Sequence, residues 1–273
     1  MAGYRGKFFI RRRVWRCGPY AEVELYPVFQ PPGRRRAKCR PTKECQQRIN
    51  QRDAEKKLGR IVKANFSERD LEADLTFAGD EGEAAARKAL GKWLRELRKL
   101  YRAAGTELRY LYVWETGKKS GKAHFHVILN AGPLSRDEVE DLWPHGSANC
   151  RRLRMDEKGL SGLVEYITKR SRSGRRTPGK RRWSGSRNLT KPEPEVRDGA
   201  ATVGEVMALA EDIDRRNVSD VLLPGMTLVE AEAMRNRVNK GLYVRLELAA
   251  PETWHGRRPV ARYLSGDLGE VEE

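Results

Sequence analysis

In Ala123-His124-Phe125-His126-Val127-Ile128-Leu129, two of the chain's four histidines stand one residue apart inside an apolar run. A β-strand has a side-chain period of two, so His124, His126 and Ile128 face one side of a sheet while Phe125, Val127 and Leu129 face the other. The preceding stretch, Arg109-Tyr110-Leu111-Tyr112-Val113-Trp114-Glu115, is aromatic and β-branched and reads as a strand. Between the two lies a polar turn bounded by Gly117 and Gly121. A hairpin centred between Lys119 and Ser120 sets Glu115 opposite His124 and Val113 opposite His126, and directly opposed residues project to one face. Glu115, His124 and His126 then converge as candidate ligands of a divalent metal, leaving positions for a substrate oxygen. A His-x-His strand alone is more often an accident of composition. The glutamate in hairpin register separates this one from that background.

Further along, Ser161-Gly162-Leu163-Val164-Glu165-Tyr166-Ile167-Thr168-Lys169-Arg170 has an N-cap residue in Ser161 and reads as a short helix. Tyr166 and Lys169 share a face, and Leu163, one turn before Tyr166, is expected to seat the helix on the sheet. These motifs, in this order, resemble those of the HUH endonuclease superfamily, named for its histidine-hydrophobe-histidine strand. Within it they are similar to rolling-circle replication initiators with a single Tyr-x-x-Lys helix. Leu75-Thr76-Phe77 matches that family's earlier strand motif, and Lys180 to Leu189 is similar to the tail of phage and mobile-element replication-associated proteins. The resemblance spans residues 66–191.

It implies that His124, His126 and Glu115 hold Mg²⁺ or Mn²⁺, that Tyr166 is the nucleophile, and that Lys169 assists it or contacts phosphate. The implied reaction is site- and strand-specific nicking and rejoining of single-stranded DNA. Tyrosine attack on phosphorus would form a 5′-phosphotyrosyl bond and release a 3′-hydroxyl able to prime a polymerase. Single-tyrosine transposases and relaxases are the neighbouring alternative, but a relaxase places its tyrosine near the amino terminus and adds a third histidine to the metal set. A non-catalytic nucleic-acid-binding regulator is the alternative from another class. It would keep a basic surface without a reason to keep Glu115, His124, His126 and Tyr166 together.

Charge agrees with a polynucleotide partner: the net formal charge is +17. Residues 1–65 hold 18 Lys and Arg against 5 Asp and Glu, whereas residues 192–273 hold 10 against 16. From Lys169 to Lys191 there are ten basic residues and no acid. That Gly- and Ser-rich run, with Trp183 embedded, is expected to be a mobile DNA-wrapping segment. Thr76, Arg170, Arg172, Arg175, Arg176, Lys180, Arg181, Arg182, Trp183 and Arg187 are the candidate DNA contacts.

The expected fold is α+β, a mostly antiparallel sheet of the HUH or RRM-like kind covered by helices on one face, with the metal and tyrosine meeting on the open face. Residues 1–65 form a basic extension with strands at Lys7–Ile10 and Ala21–Val28 and a polar helix from Lys43 to Val62, read either as a DNA-facing arm or as an exposed helix on the domain surface. Residues 66–191 form the endonuclease domain. Its helices run over Glu83–Tyr101, with Leu100 among the inner residues, and from a capping box at Ser135, and a strand covers Ala148–Met155. Residues 192–273 form an acidic region with helices at Val203–Arg216 and Thr227–Asn239 and a strand at Gly241–Leu248. No run of 18 apolar residues and no secretion signal is present, so a cytoplasmic location in a bacterial host, encoded by a phage or other mobile element, is expected. The four cysteines lack zinc-ligand spacing and are expected as reduced thiols. No Gly-x-x-x-x-Gly-Lys-Ser/Thr occurs, so a host helicase and polymerase are the expected partners, acting with single-stranded origin DNA, open or in a hairpin.

Overall fold

A computed structural model describes residues 8–29, 44–116, 123–154, 160, 162–165, 183–211, 223–235, 241–253 and 260–265. In chain order the elements are β1 (Phe8–Cys17), β2 (Tyr20–Phe29), α1 (Glu44–Asn65), β3 (Leu71–Thr76), α2 (Glu83–Ala103), β4 (Tyr110–Thr116), β5 (Ala123–Leu129), α3 (Arg136–Asp141) and β6 (Ala148–Arg152). There follow α4 (162–165), β7 (Trp183–Gly185), β8 (Glu195–Asp198), α5 (Val203–Glu211), β9 (Thr227–Arg235), β10 (Leu242–Ala249) and β11 (Val260–Ser265). The class is α+β, and the chain divides into two units, Ile61–Thr190 and Met1–Arg60 with Lys191–Glu273.

The Ile61–Thr190 unit is built on a five-stranded antiparallel sheet in the order β6-β3-β5-β4-β7. Alternation in β3 and β5 sends Leu71, Ala73, Leu75, Phe125, Val127 and Leu129 to one side, into a core shared with α2 and α3. α2 faces that core with Ala86, Ala89, Leu90, Trp93, Leu94, Leu97 and Tyr101. Leu100, expected inside, is 39% exposed. Tyr101 is the buried residue of that turn, its hydroxyl donating to the Asn130 carbonyl at 2.7 Å. Gly132 is required beside it, since a Cβ there would come within 2.2 Å of the Tyr101 ring.

The Ser135–Glu138 capping box is formed, and it holds the Glu138 carboxyl below its ordinary range through hydrogen bonds from the Ser135 backbone and hydroxyl. Behind the cap, Val139 and Trp143 are buried. Of the strand expected over Ala148–Met155, β6 covers the part to Arg152. In α4 the buried residue is Val164, whose amide bonds the carbonyl of buried Leu160; Leu163, the expected anchor, is only half-buried.

The end of the basic run is ordered. Trp183–Gly185 pairs with β4 along the sheet edge, and Leu189 is buried. The Asn65 side chain clamps Thr190 from both sides, donating to its carbonyl at 2.7 Å and accepting from its amide at 2.8 Å. Backbone pairing and a side-chain amide therefore order the end of a segment whose composition alone reads as mobile.

The two flanks, read separately in the sequence, form one six-stranded sheet in the order β11-β9-β10-β2-β1-β8, antiparallel except where β11 runs parallel to β9. Val14, Val23, Leu25, Ala231, Ala233, Val244, Leu246 and Leu248 pack with Val206 and Ala210 of α5 in its core. Two expectations change. β1 runs on through Arg11-Arg12-Arg13 to Cys17 and turns at Gly18, which takes φ 65°. Thr227–Arg235 is a strand rather than a helix, because β10 and β11 pair with its two edges and override the helical bias of its Ala, Glu and Met residues.

Opposite charges of the two flanks meet across this sheet. Arg11 binds Asp198 at 2.6 Å, and Arg16 reaches Glu195 at 3.4 Å. α1 is not simply a DNA-facing arm: Lys56 pairs with Glu24 at 2.9 Å, and Arg60 pairs with Glu22 at 2.6 Å while lying 3.4 Å over the Trp15 ring. Arg245 binds Glu22 at 3.0 Å from the neighbouring strand. Burial alone would raise the Glu22 carboxyl, but Arg245 and Arg60 overcome it and bring it down to about 2.

The stabilising ionised form of Glu22 is therefore fully present above its ordinary value of 4.5 and is lost as pH falls toward about 2. Urea unfolding followed from about pH 6 down to about pH 2 is expected to show a loss of stability across that window which Glu22→Gln diminishes. Glu22→Ala, leaving two guanidinium groups without their shared carboxylate, is expected to cost about 3–5 kcal/mol at neutral pH.

Candidate metal centre and nucleic-acid face

β4 and β5 pair in the register expected from their turn, Glu115 opposite His124 and Val113 opposite His126. On the other edge of β5, Thr76 lies opposite His124 and Asp74 opposite His126. One sheet face thus carries Glu72, Asp74 and Thr76 from β3, His124, His126 and Ile128 from β5, and Leu111, Val113 and Glu115 from β4. Leu111, Val113 and Ile128 are almost wholly buried, so this face is not the fully open one expected from the sequence.

Glu115, His124 and His126 come together, with their ligand atoms all within 4.8 Å of one another. Glu115 Oε2 lies 3.3 Å from Nε2 of each histidine. Adjacent ligands around an octahedral ion with bonds of about 2.1 Å are separated by about 3 Å, so the spacing fits a first-row divalent cation. The imidazole rings stand perpendicular, their centroids 5.4 Å apart. Exposure rises from 3% for the His126 side chain to 10% for Glu115 and 19% for His124, so the cluster opens toward His124.

A second layer of charge stands behind His126. Asp74 Oδ1 hydrogen-bonds His126 Nδ1, and Asp74 Oδ2 accepts from Arg151 Nη1 at 2.9 Å. Arg151 also grips Glu72, Nη2 to Oε1 at 3.0 Å. Burial would raise the Asp74 carboxyl, yet the hydrogen bond with His126 and the Arg151 guanidinium leave it below its ordinary range. Glu72 moves the other way: burial pushes it up more than Arg151 pulls it down. Sequence reasoning missed Glu72, Asp74 and Arg151. The available signal was polar alternation in Leu71-Glu72-Ala73-Asp74-Leu75-Thr76, whereas Arg151 is reached only through β3–β6 pairing.

Thr76 closes the same face at the end of β3. Its hydroxyl donates to the Ser147 carbonyl at 3.1 Å, and its own carbonyl accepts from Trp143 Nε1 at 2.9 Å. Trp183 pairs with Val113 and so projects to the histidine face, about 10 Å from the β5 row by the spacing of two strand intervals. Arg187 is exposed in the turn that follows β7. Tyr166, Lys169, Arg170, Arg172, Arg175, Arg176, Lys180, Arg181 and Arg182 lie outside the described residues. Cys17 and Cys150 are buried, and burial pushes the Cys150 thiol up to about 12, which leaves it protonated and unsuited to hold a metal.

Residues 73–171, just over a third of the chain, match a family model described as a replication-associated protein of the ORF2 type. The matched stretch begins inside β3 and includes Glu115, His124, His126, Tyr166 and Lys169. It supports a replication-associated protein. No curated protein and no solved structure matches the chain.

The end of β3 depends on Gly146, where a Cβ would meet the Thr76 carbonyl at 2.4 Å and the Ala78 amide nitrogen at 2.7 Å. Both obstacles are backbone and cannot swing aside. Gly146→Ala is expected to cost about 1–3 kcal/mol in urea unfolding.

Proposed function

We propose that this chain is a rolling-circle replication initiator that nicks and rejoins single-stranded DNA through a tyrosyl-phosphate intermediate. The observation that carries the reading is the convergence of Glu115, His124 and His126 within a segment matching a replication-associated family. Those three residues would hold Mn²⁺ or Mg²⁺, and the mixed nitrogen and oxygen donor set suits Mn²⁺ better than the oxygen-seeking Mg²⁺. Bound there, the ion supplies polarisation of the scissile phosphate and offsets charge on its oxygens.

The phenolic oxygen of Tyr166 attacks phosphorus in line. A phosphorus–oxygen bond to tyrosine forms as the bond to the 3′-oxygen breaks, and that oxygen leaves as a 3′-hydroxyl after taking up a proton. Because one phosphoester replaces another, the reverse attack by a 3′-hydroxyl reseals the strand. A phenol titrates near 10, so ionisation near neutrality needs a cation, and Lys169, three residues on, supplies one or contacts the phosphate. Trp183, on the histidine face, offers a ring on which an unpaired base can stack. Thr76 and the cations Arg170, Arg172, Arg175, Arg176, Lys180, Arg181, Arg182 and Arg187 are assigned to the DNA backbone and its positioning. The substrate is origin DNA, single-stranded or extruded as a hairpin, in the cytoplasm of a bacterial host whose helicase and polymerase open and extend it. No helix among the described residues is long and apolar enough to cross a membrane.

End-labelled single-stranded oligonucleotides from the surrounding genome, incubated with the protein and Mn²⁺ or EDTA and resolved on a denaturing gel, test this reading. A covalent protein–DNA band is expected with Mn²⁺ only. It should vanish in Tyr166→Phe and His126→Ala, while Tyr166→Phe still binds DNA. Tight binding without an adduct from the unaltered protein would overturn the assignment in favour of a binding module.

A further inference from the structure

We infer that Asp74 is a positioning residue of the metal centre, holding His126 with its proton on Nδ1 so that the Nε2 lone pair is directed to the side where Glu115 and His124 converge. The inference rests on the metal reading above, but its structural half stands on contacts already formed in the protein alone.

Asp74 sits directly across the strand pair from His126, and its Oδ1 is hydrogen-bonded to Nδ1. The other ring nitrogen, Nε2, is 3.3 Å from Glu115 Oε2. A neutral imidazole has one donor and one acceptor nitrogen, and the hydrogen bond made by one nitrogen decides the role of the other. A carboxylate can only accept, so Nδ1 donates to Asp74, and in the neutral ring this leaves on Nε2 the lone pair that a metal requires. The His126 side chain is only 3% exposed, so the ring is held between Asp74 and Glu115 with little room to turn. His124 differs: its partner across the same pair of strands is Thr76, which offers no carboxylate, and it is the more exposed imidazole.

Arg151 completes the device. It binds Asp74 Oδ2 at 2.9 Å and Glu72 at 3.0 Å, which keeps the carboxylate oriented and offsets two neighbouring negative charges. Glu72, Asp74 and His126 also lie close enough together to hold a cation of their own. The Arg151 guanidinium already supplies the positive charge there, and a His126 Nδ1 that donates to Asp74 cannot ligate. The positioning role accounts for all four side chains.

The test begins with ¹⁵N NMR of the histidine rings in metal-free protein, which reads the tautomer directly, followed by Mn²⁺ titration monitored by EPR. Unaltered protein is expected to show His126 protonated at Nδ1. Asp74→Ala should lose that preference and bind Mn²⁺ about 10- to 100-fold more weakly. Asp74→Asn, whose amide oxygen still accepts, should keep the tautomer and lose less affinity, and it also serves if the alanine variant fails to fold. A neutral His126 ring protonated on Nε2 instead of Nδ1 in the unaltered protein, or an unchanged tautomer in a folded Asp74→Ala, overturns the inference whatever the metal does. The expected tautomers with no Mn²⁺ binding, and no difference in His126→Ala, would instead defeat the metal reading and leave Asp74 as the residue that orients His126.

Discussion

Register across β3, β5 and β4 is the constraint on which the candidate site depends. Side chains alternate along a strand, so a slip of one residue would turn His124 and His126 into the core and Phe125 out of it. The core forbids this. Phe125 is fully buried, with its ring against Phe77, Tyr112 and Trp114, while Phe77 in turn meets Trp143. Aromatic packing on one face therefore fixes which residues stand on the other. Two imidazoles and three carboxylates are held close together at a cost in desolvation and repulsion, and the apolar layer behind them offsets it. The polar groups limit that cost by pairing among themselves, through Asp74 with His126 and Arg151 with both Asp74 and Glu72.

A different balance governs the unit built from the chain's two ends. Its polar sheet face buries Glu22 between Arg60 and Arg245, and Arg245 extends the network to Glu232 and Glu247. Each of these ions must first leave water, so the attraction within the network is largely offset by desolvation, while removing a single partner leaves the others uncompensated. The network also changes what the strongly basic amino-terminal segment means. Arg11, Arg16, Lys56 and Arg60 are matched by Asp198, Glu195, Glu24 and Glu22, so these cations serve the fold before they serve a polyanion. Net charge summed along a chain describes the attraction of the whole molecule for DNA, but it does not say which cations remain available.

Legibility in the sequence followed the range of the interaction. The β4–β5 hairpin, α1, the buried stripe of α2 and the Ser135 cap were readable because their partners lie within a few residues or one turn. Thr227–Arg235 was not: its residue types favour a helix, and only the edges of β10 and β11 make it a strand. Asp74 stands just before the Leu75-Thr76-Phe77 motif, and nothing local says that its neighbour across the sheet is His126. Trp183 read as part of a loose basic loop because three residues of edge pairing leave almost no periodic signal.

Local sequence settles the alternation that puts two histidines on one strand face, the turn length that brings Glu115 level with His124, and the α+β class that houses them. Those are consequences of strand period and of contacts near in the chain. It took the assembled sheets to establish that β3 lies beside β5 with Asp74 level with His126, that β6 delivers Arg151 to both acids, and that the chain's two oppositely charged ends share one sheet. Each of these joins residues far apart in sequence, and such pairings are selected by the burial of whole sheet faces rather than by any local preference.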